Sequence, residues 1–177
     1  MNKESRLMDM LVSYASAHQH PVNIAVHLIG IPTIMLGAFI PMTWLNFDIA
    51  GIQINLAQVI LLIMFLFYLT LDHLFAVAFL VFAFAVAELA AFLGVLPRTT
   101  AMTIAAAAFF GGYAAQFIGH AVEKSMPVLL KHPIQANLAA PFFTIVEVFK
   151  LLGLREALFY AVQKRIAELR EQQADSG

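Results

Sequence analysis

The sequence contains no cysteine. That absence excludes disulfide bonds, iron–sulfur clusters, thiolate-ligated haem and cysteine zinc sites together. Any metal in this chain has to be held by histidine and carboxylate. Charge is scarce as well: Asp, Glu, Lys and Arg make up 12% of the 177 residues, about half of what soluble domains carry. No basic residue lies between Arg6 and Arg98, so there is no continuous positive surface for a phosphate backbone, and nucleic-acid binding is excluded. A formal net charge of −1 points to no strongly charged partner. What fills the chain instead is apolar: 62% hydrophobic residues and a mean hydropathy of +0.84 belong in a lipid bilayer.

Apolar stretches lie at about 24–42, 56–71, 73–96 and 101–120, against the roughly 20 residues needed to cross a hydrocarbon core. They predict an all-α integral membrane protein of about four transmembrane helices. The second stretch is short and only Asp72-His73 separates it from the third, so a hairpin that enters and returns is the alternative. A single membrane domain over 1–177 follows: an interfacial N-terminal helix (1–20), a transmembrane bundle (21–122) and a cytoplasmic or interfacial tail (123–177). Leu7, Leu11, Tyr14 and His18 recur at helical spacing, the stripe of an amphipathic helix, and nothing in 1–20 reads as a cleaved signal. His20-Pro21 ends that helix and starts the next. Segments 41–55 and 97–100 read as loops on the far side, and Pro127, Pro133 and Pro141 divide the tail into short pieces. An interfacial helix over 142–152 follows, then a surface helix over 154–172 with Leu158, Val162, Ile166 and Leu169 on one face. Nine of the ten basic residues fall with the termini and Arg98 falls opposite, which predicts both termini in the cytoplasm of a bacterial inner membrane, or of an endoplasmic reticulum in a eukaryote.

This layout gathers histidines. His18 and His20 precede the first crossing, His27 lies about one turn inside it, His73 stands between the second and third, and His120 ends the fourth. An even number of crossings brings these positions to one depth. Asn23 sits four residues before His27, where its amide can orient the ring. Tyr113, Gln116, His120, Glu123 and Lys124 form a polar stripe on a helix otherwise built of Ala, Phe, Gly and Ile, and in lipid such a stripe must face protein or a wet cavity. Gly111, Gly112 and Gly119 would admit a neighbouring helix closely. Three imidazoles from different elements suit iron, zinc, copper or nickel. His20 and His132 stand beside prolines and read as turn residues; His73 and Asp72 could complete a metal site or serve a helix end. Glu88, an acid within the third stretch, could be protonated, pair with Arg98 or carry protons. From spacing alone, a bis-histidine haem b electron carrier, a non-enzymatic lipid or proton transporter, and a different metal hydrolase or hydroxylase all stay open.

Two motifs narrow the field. The segment from Tyr14 through His18, Asn23 and His27 to Gly30 and Pro32 resembles the signature Tyr-x3-His-x4-Asn-x3-His-x2-Gly-x-Pro of a small membrane family, the 2-hydroxy fatty acid dioxygenases of phytosphingosine breakdown and their bacterial relatives. Gln116-Phe117-Ile118-Gly119-His120 with Glu123, Lys124 and Pro127 resembles the family's second motif, Glu123 standing one position nearer the histidine, and Pro141 and Glu147 match its tail. The resemblance spans nearly the whole chain. It implies an enzyme dependent on Fe2+ that shortens a 2-hydroxy fatty acid by one carbon with O2, a step of fatty acid α-oxidation, with His18, His27 and His120 as iron ligands. Iron accepts about six ligands, so three histidines leave room for a chelating hydroxy-carboxylate and for O2. The acyl tail would lie in an apolar groove between helices, with Tyr14, Asn23, Gln116 and Lys124 as candidates to orient ligands or contact the carboxylate.

Overall fold

The computed structural model describes residues 3–17, 20–130 and 133–175. The chain is all-α apart from one hairpin: α1 (Lys3–Ala17), α2 (Pro21–Met42), β1 (Asn46–Ile49), β2 (Ile52–Asn55), α3 (Leu56–Leu69), α4 (His73–Gly94), α5 (Arg98–Glu123), a 3-10 turn (Val128–Leu130), α6 (Pro133–Leu151) and α7 (Glu156–Asp175). The helices α2, α4 and α5 are long and apolar enough to cross a membrane. At 22 residues α2 and α4 each reach about 33 Å, a full hydrocarbon core. The second apolar stretch gives only the 14 residues of α3, about 21 Å of helix, which falls short of a crossing. α6 and α7 meet at a bend of 111° and could count together as a fourth span.

Helix ends follow local chemistry. Pro21 occupies the first turn of α2, and the His20 ring accepts from the Val22 N–H at 3.2 Å. Asn55 and Gln58 form a reciprocal capping box at the start of α3. Segment 41–55, expected as a loop, holds the β-hairpin. Its tip is Ala50-Gly51, both at positive φ (55° and 84°), the turn whose twist suits a two-residue hairpin. Trp44 closes this far side: its indole donates to Gly94 O at 2.9 Å, and the Arg98 guanidinium lies 3.5 Å from its ring centroid.

The central contact is α2 against α5, running antiparallel with glycine at each crossing. A Cβ on Gly37 would lie 2.5 Å from Phe109 N; one on Gly30 would lie 3.3 Å from Gly112 O; one on Gly119 would lie 3.4 Å from Val26. These small residues let the backbones approach closely, and the register sets His27 beside His120. On α4, the buried residues Phe75, Ala76, Phe79, Ala83, Ala87 and Ala90 form the inward stripe. Against it lie Tyr68 and Phe142, the Tyr68–Phe79 rings edge to face at 4.6 Å.

Pro141 does not divide the tail as the sequence suggested; α6 runs through it. The carbonyl that Pro141 cannot serve is that of Asn137, four residues back; one residue on, the Leu138 carbonyl accepts from the Tyr68 hydroxyl at 2.6 Å. Residues 142–147 are buried, so this part of the tail packs into the bundle against α2 and α4. The stripes of α1 (Leu7, Leu11) and α7 (Val162, Ile166) are likewise buried, the two helices packing together.

Asp72 ties the tail to α4. One carboxylate oxygen accepts from Leu74 N and Phe75 N at 2.9 and 3.0 Å, while the other takes Arg155 Nη1 at 2.6 Å. Arg155 also stacks over Phe75, 4.6 Å from its centroid. Asp72→Ala removes a cap and a largely shielded ion pair, so thermal unfolding should report a loss of about 1–3 kcal/mol. Loss of Fe2+ binding with an intact melting profile would make Asp72 a metal ligand instead.

Candidate functional site

A cavity of about 780 Å3 opens between α1, α2, α3, α5 and α6, within the size range of sites for small organic ligands. His27 and His120 line it together with the polar residues Asp9, Ser13, Tyr14, Tyr113, Gln116 and Asn137; the rest of the lining is Ile, Met, Phe, Leu, Ala and Pro. His27 and His120 are each only 5% exposed, and their rings meet edge to face with centroids 5.0 Å apart. His27 Nδ1 bonds to the Asn23 carbonyl at 2.9 Å, one helical turn back, and His120 Nδ1 to Ser125 Oγ at 2.9 Å. A carbonyl can only accept, so His27 Nδ1 carries the proton and Nε2 is the nitrogen through which this ring would ligate.

The first turn of α2 and the end of α5 are clasped by Glu123. One of its oxygens accepts from the His20 backbone N–H at 3.1 Å and the other from the Asn23 side-chain amide. Asn23 is fully buried, and its Oδ1 has no hydrogen-bond partner among the described residues; it packs against Gly119, where a Cβ would sit 2.6 Å away. Asn23 therefore serves both halves of the site, its carbonyl fixing His27 and its amide holding the helix that carries His120. Asn23→Ala keeps the backbone carbonyl on His27 but opens the clasp to Glu123, and Glu123→Ala opens it from the other side, so each should weaken any binding of Fe2+ at this end by about 10–100-fold. Iron titration of the two variants checks this; full affinity in either would remove the clasp as the explanation.

Donor chemistry at this end suits a divalent transition metal: two buried imidazoles on facing helices, each with Nδ1 hydrogen-bonded, at the head of an apolar cavity. Among the described residues no group of three His, Asp or Glu could hold a metal ion, and the third expected ligand, His18, lies outside the described residues.

Comparison with known proteins agrees with the resemblance. Residues 5–152 match the family described as Mpo1-like, 2-hydroxy-palmitic acid dioxygenase Mpo1-like. The chain belongs to the Mpo1-like family. The match runs from α1 through α6 and ends just before α7. No curated protein and no solved structure matches the chain.

Other residues of this Mpo1-like chain fall in distinct places. Tyr14 lines the cavity and stacks on Phe143, with centroids 3.8 Å apart and planes 9° apart. Burial, reinforced by Glu147 and Glu123, pushes its phenol far above the ordinary tyrosine range, so it stays a neutral O–H group. Gln116 lines the cavity one turn before His120. Lys124 is exposed and sits outside the lining; at φ 55° it is the left-handed residue that ends α5. That turn lets Ser125 N bond back to His120 O at 3.0 Å and brings Ser125 Oγ to the ring. Ser125 escaped the sequence reading because it lies past the helix, off the helical stripe. His73 is exposed at the first turn of α4, Glu88 is exposed on α4, and neither lines the cavity; nor does Asp72. His132 lies outside the described residues.

Proposed function

We propose that this chain is an Fe2+-dependent dioxygenase that removes one carbon from 2-hydroxy fatty acids, the metal held by His18, His27 and His120. The observation that carries the reading is the buried His27–His120 pair at the polar head of a long apolar cavity. Such a site suits an amphiphile with an acidic head and one acyl tail. Bound iron would supply chelation of the hydroxy-carboxylate and activation of O2. The chain's own groups do the rest. Asn23 and Ser125 hold the two rings, Tyr14 donates a hydrogen bond from a hydroxyl that does not ionise, and Gln116 offers an amide to the carboxylate. The cavity's apolar body keeps water from the reacting carbon. Atoms balance with no added reductant: one 2-hydroxy acid and one O2 give the shortened acid, carbon dioxide and water. In this reading both termini face the cytoplasm, because nine of ten basic residues lie on the histidine side.

A haem between His27 and His120 conflicts with the packing. α2 and α5 touch at Gly119–Val26 before His27 and at Gly30–Gly112 after it, which leaves no slot for a macrocycle between the rings. The test is mass spectrometry of products from 2-hydroxypalmitate and purified protein in detergent, with Fe2+ added or chelated. The acid one carbon shorter should appear only with iron. A Soret band, or no product across several chain lengths under air, would set the proposal aside.

A further inference from the structure

The cavity continues far beyond the histidines. His27, Ile31, Ile34, Ala38 and Met42 all line it, at spacings of four, three, four and four, so they form one row along α2. From His27 to Met42 is about 22 Å of helix. Ile60 and Met64 of α3 line it as well, and Phe109 of α5, which lies beside Gly37, lines it about two-thirds of the way along, level with Ala38. The row is bulky at every step but one: Ala38, about 16 Å from His27 along the helix.

We infer that this row is a chain-length ruler, with Ala38 the gate through which the tail passes and Met42 the floor. The inference rests on the head of the substrate lying at the histidines. A tail long enough to pass Ala38 ends near Met42, two residues from Trp44, the sole tryptophan. Shorter tails stop before the gate. Ala38→Leu fills the gate and turns the preference toward short chains; Met42→Ala lowers the floor and turns it toward longer ones.

Two readouts separate the ruler from the reaction. The first is binding to the full-length protein: 2-hydroxypalmitate brominated at its terminal carbon should quench Trp44 fluorescence, saturating at one equivalent and reversed by unbrominated 2-hydroxypalmitate. Terminally brominated 2-hydroxydecanoate should bind without quenching, and Ala38→Leu should abolish the quenching by the long acid. The second is turnover: Ala38→Leu should lower kcat/KM for 2-hydroxypalmitate relative to 2-hydroxydecanoate by about tenfold or more. Met42→Ala should move the preference the other way, so the test survives if the leucine variant does not fold. Saturable quenching with no product would keep the ruler and end the dioxygenase reading. Product with no quenching and an unchanged length preference in both variants would overturn the ruler and leave the reaction in place.

Discussion

Alanine at His27 or at His120 will strip iron from the purified protein and cut formation of the shortened acid to below about 1% of wild type. Both rings are buried, they face each other across the α2–α5 seam, and each is braced at Nδ1. Among the described residues no group of three His, Asp or Glu stands ready to replace either one. The carboxylate close at hand, Glu123, is engaged by His20 N and by Asn23. His18→Ala should behave the same way. His20 and His73 give the contrast, since His20 caps a helix and His73 lies outside the cavity. Their alanine variants should keep iron and most of the activity. Metal analysis and product assays on these five proteins decide the assignment: two of the first three variants with full iron and full turnover would overturn it.

Gly37→Ala will be the most destabilising single-methyl change in the bundle. Its new Cβ would meet Phe109 N at 2.5 Å, Ala105 O at 2.7 Å and Phe109 Cα at 2.9 Å. All three are backbone atoms of α5, which cannot rotate away as a side chain would. Forcing α2 and α5 apart costs about 1–3 kcal/mol, a fall in Tm of about 2–12 °C for a chain this size. Gly111→Ala is the control, because nothing lies within 4 Å of its Cβ; alanine's better helix propensity should leave Tm unchanged or slightly raised. Thermal unfolding of both in one detergent is the check. A Gly37→Ala protein as stable as wild type would mean that the helices do not need this close approach. The same widening should loosen the His27–His120 pair and lower iron affinity.

The histidine pairing was legible in the sequence because it depends only on counting crossings: His27 near the start of one helix and His120 near the end of its antiparallel neighbour share a depth whatever the side-chain detail. Glycines 112 and 119 were legible as close-approach positions, whereas Gly111, expected with them, faces away from α2 with nothing near its Cβ position. Gly37 was not, since a lone glycine in an apolar run has no signal until its partner helix is known. The role of Asp72 depends on Arg155, distant in sequence, and could not be separated from metal ligation by local pattern. α6 was obscured by Pro141, which is usually a boundary signal, whereas here the helix continues past the missing donor. The hairpin at 46–55 is too short for periodicity to reveal it, although its alternation of Asn46, Phe47, Asp48 and Ile49 is a strand pattern. The cavity could not be read from the sequence, because five helices and the 3-10 turn build it.

The central claim is that the polar head of this cavity inserts oxygen from O2 at the carbon bearing the hydroxyl. Turnover of 2-hydroxypalmitate under isotopically heavy O2 tests it most directly. The account predicts that the shortened acid carries one heavy oxygen atom and that chelating the iron removes the product altogether. A shortened acid labelled only from heavy water, or formed at an undiminished rate without O2, would contradict it.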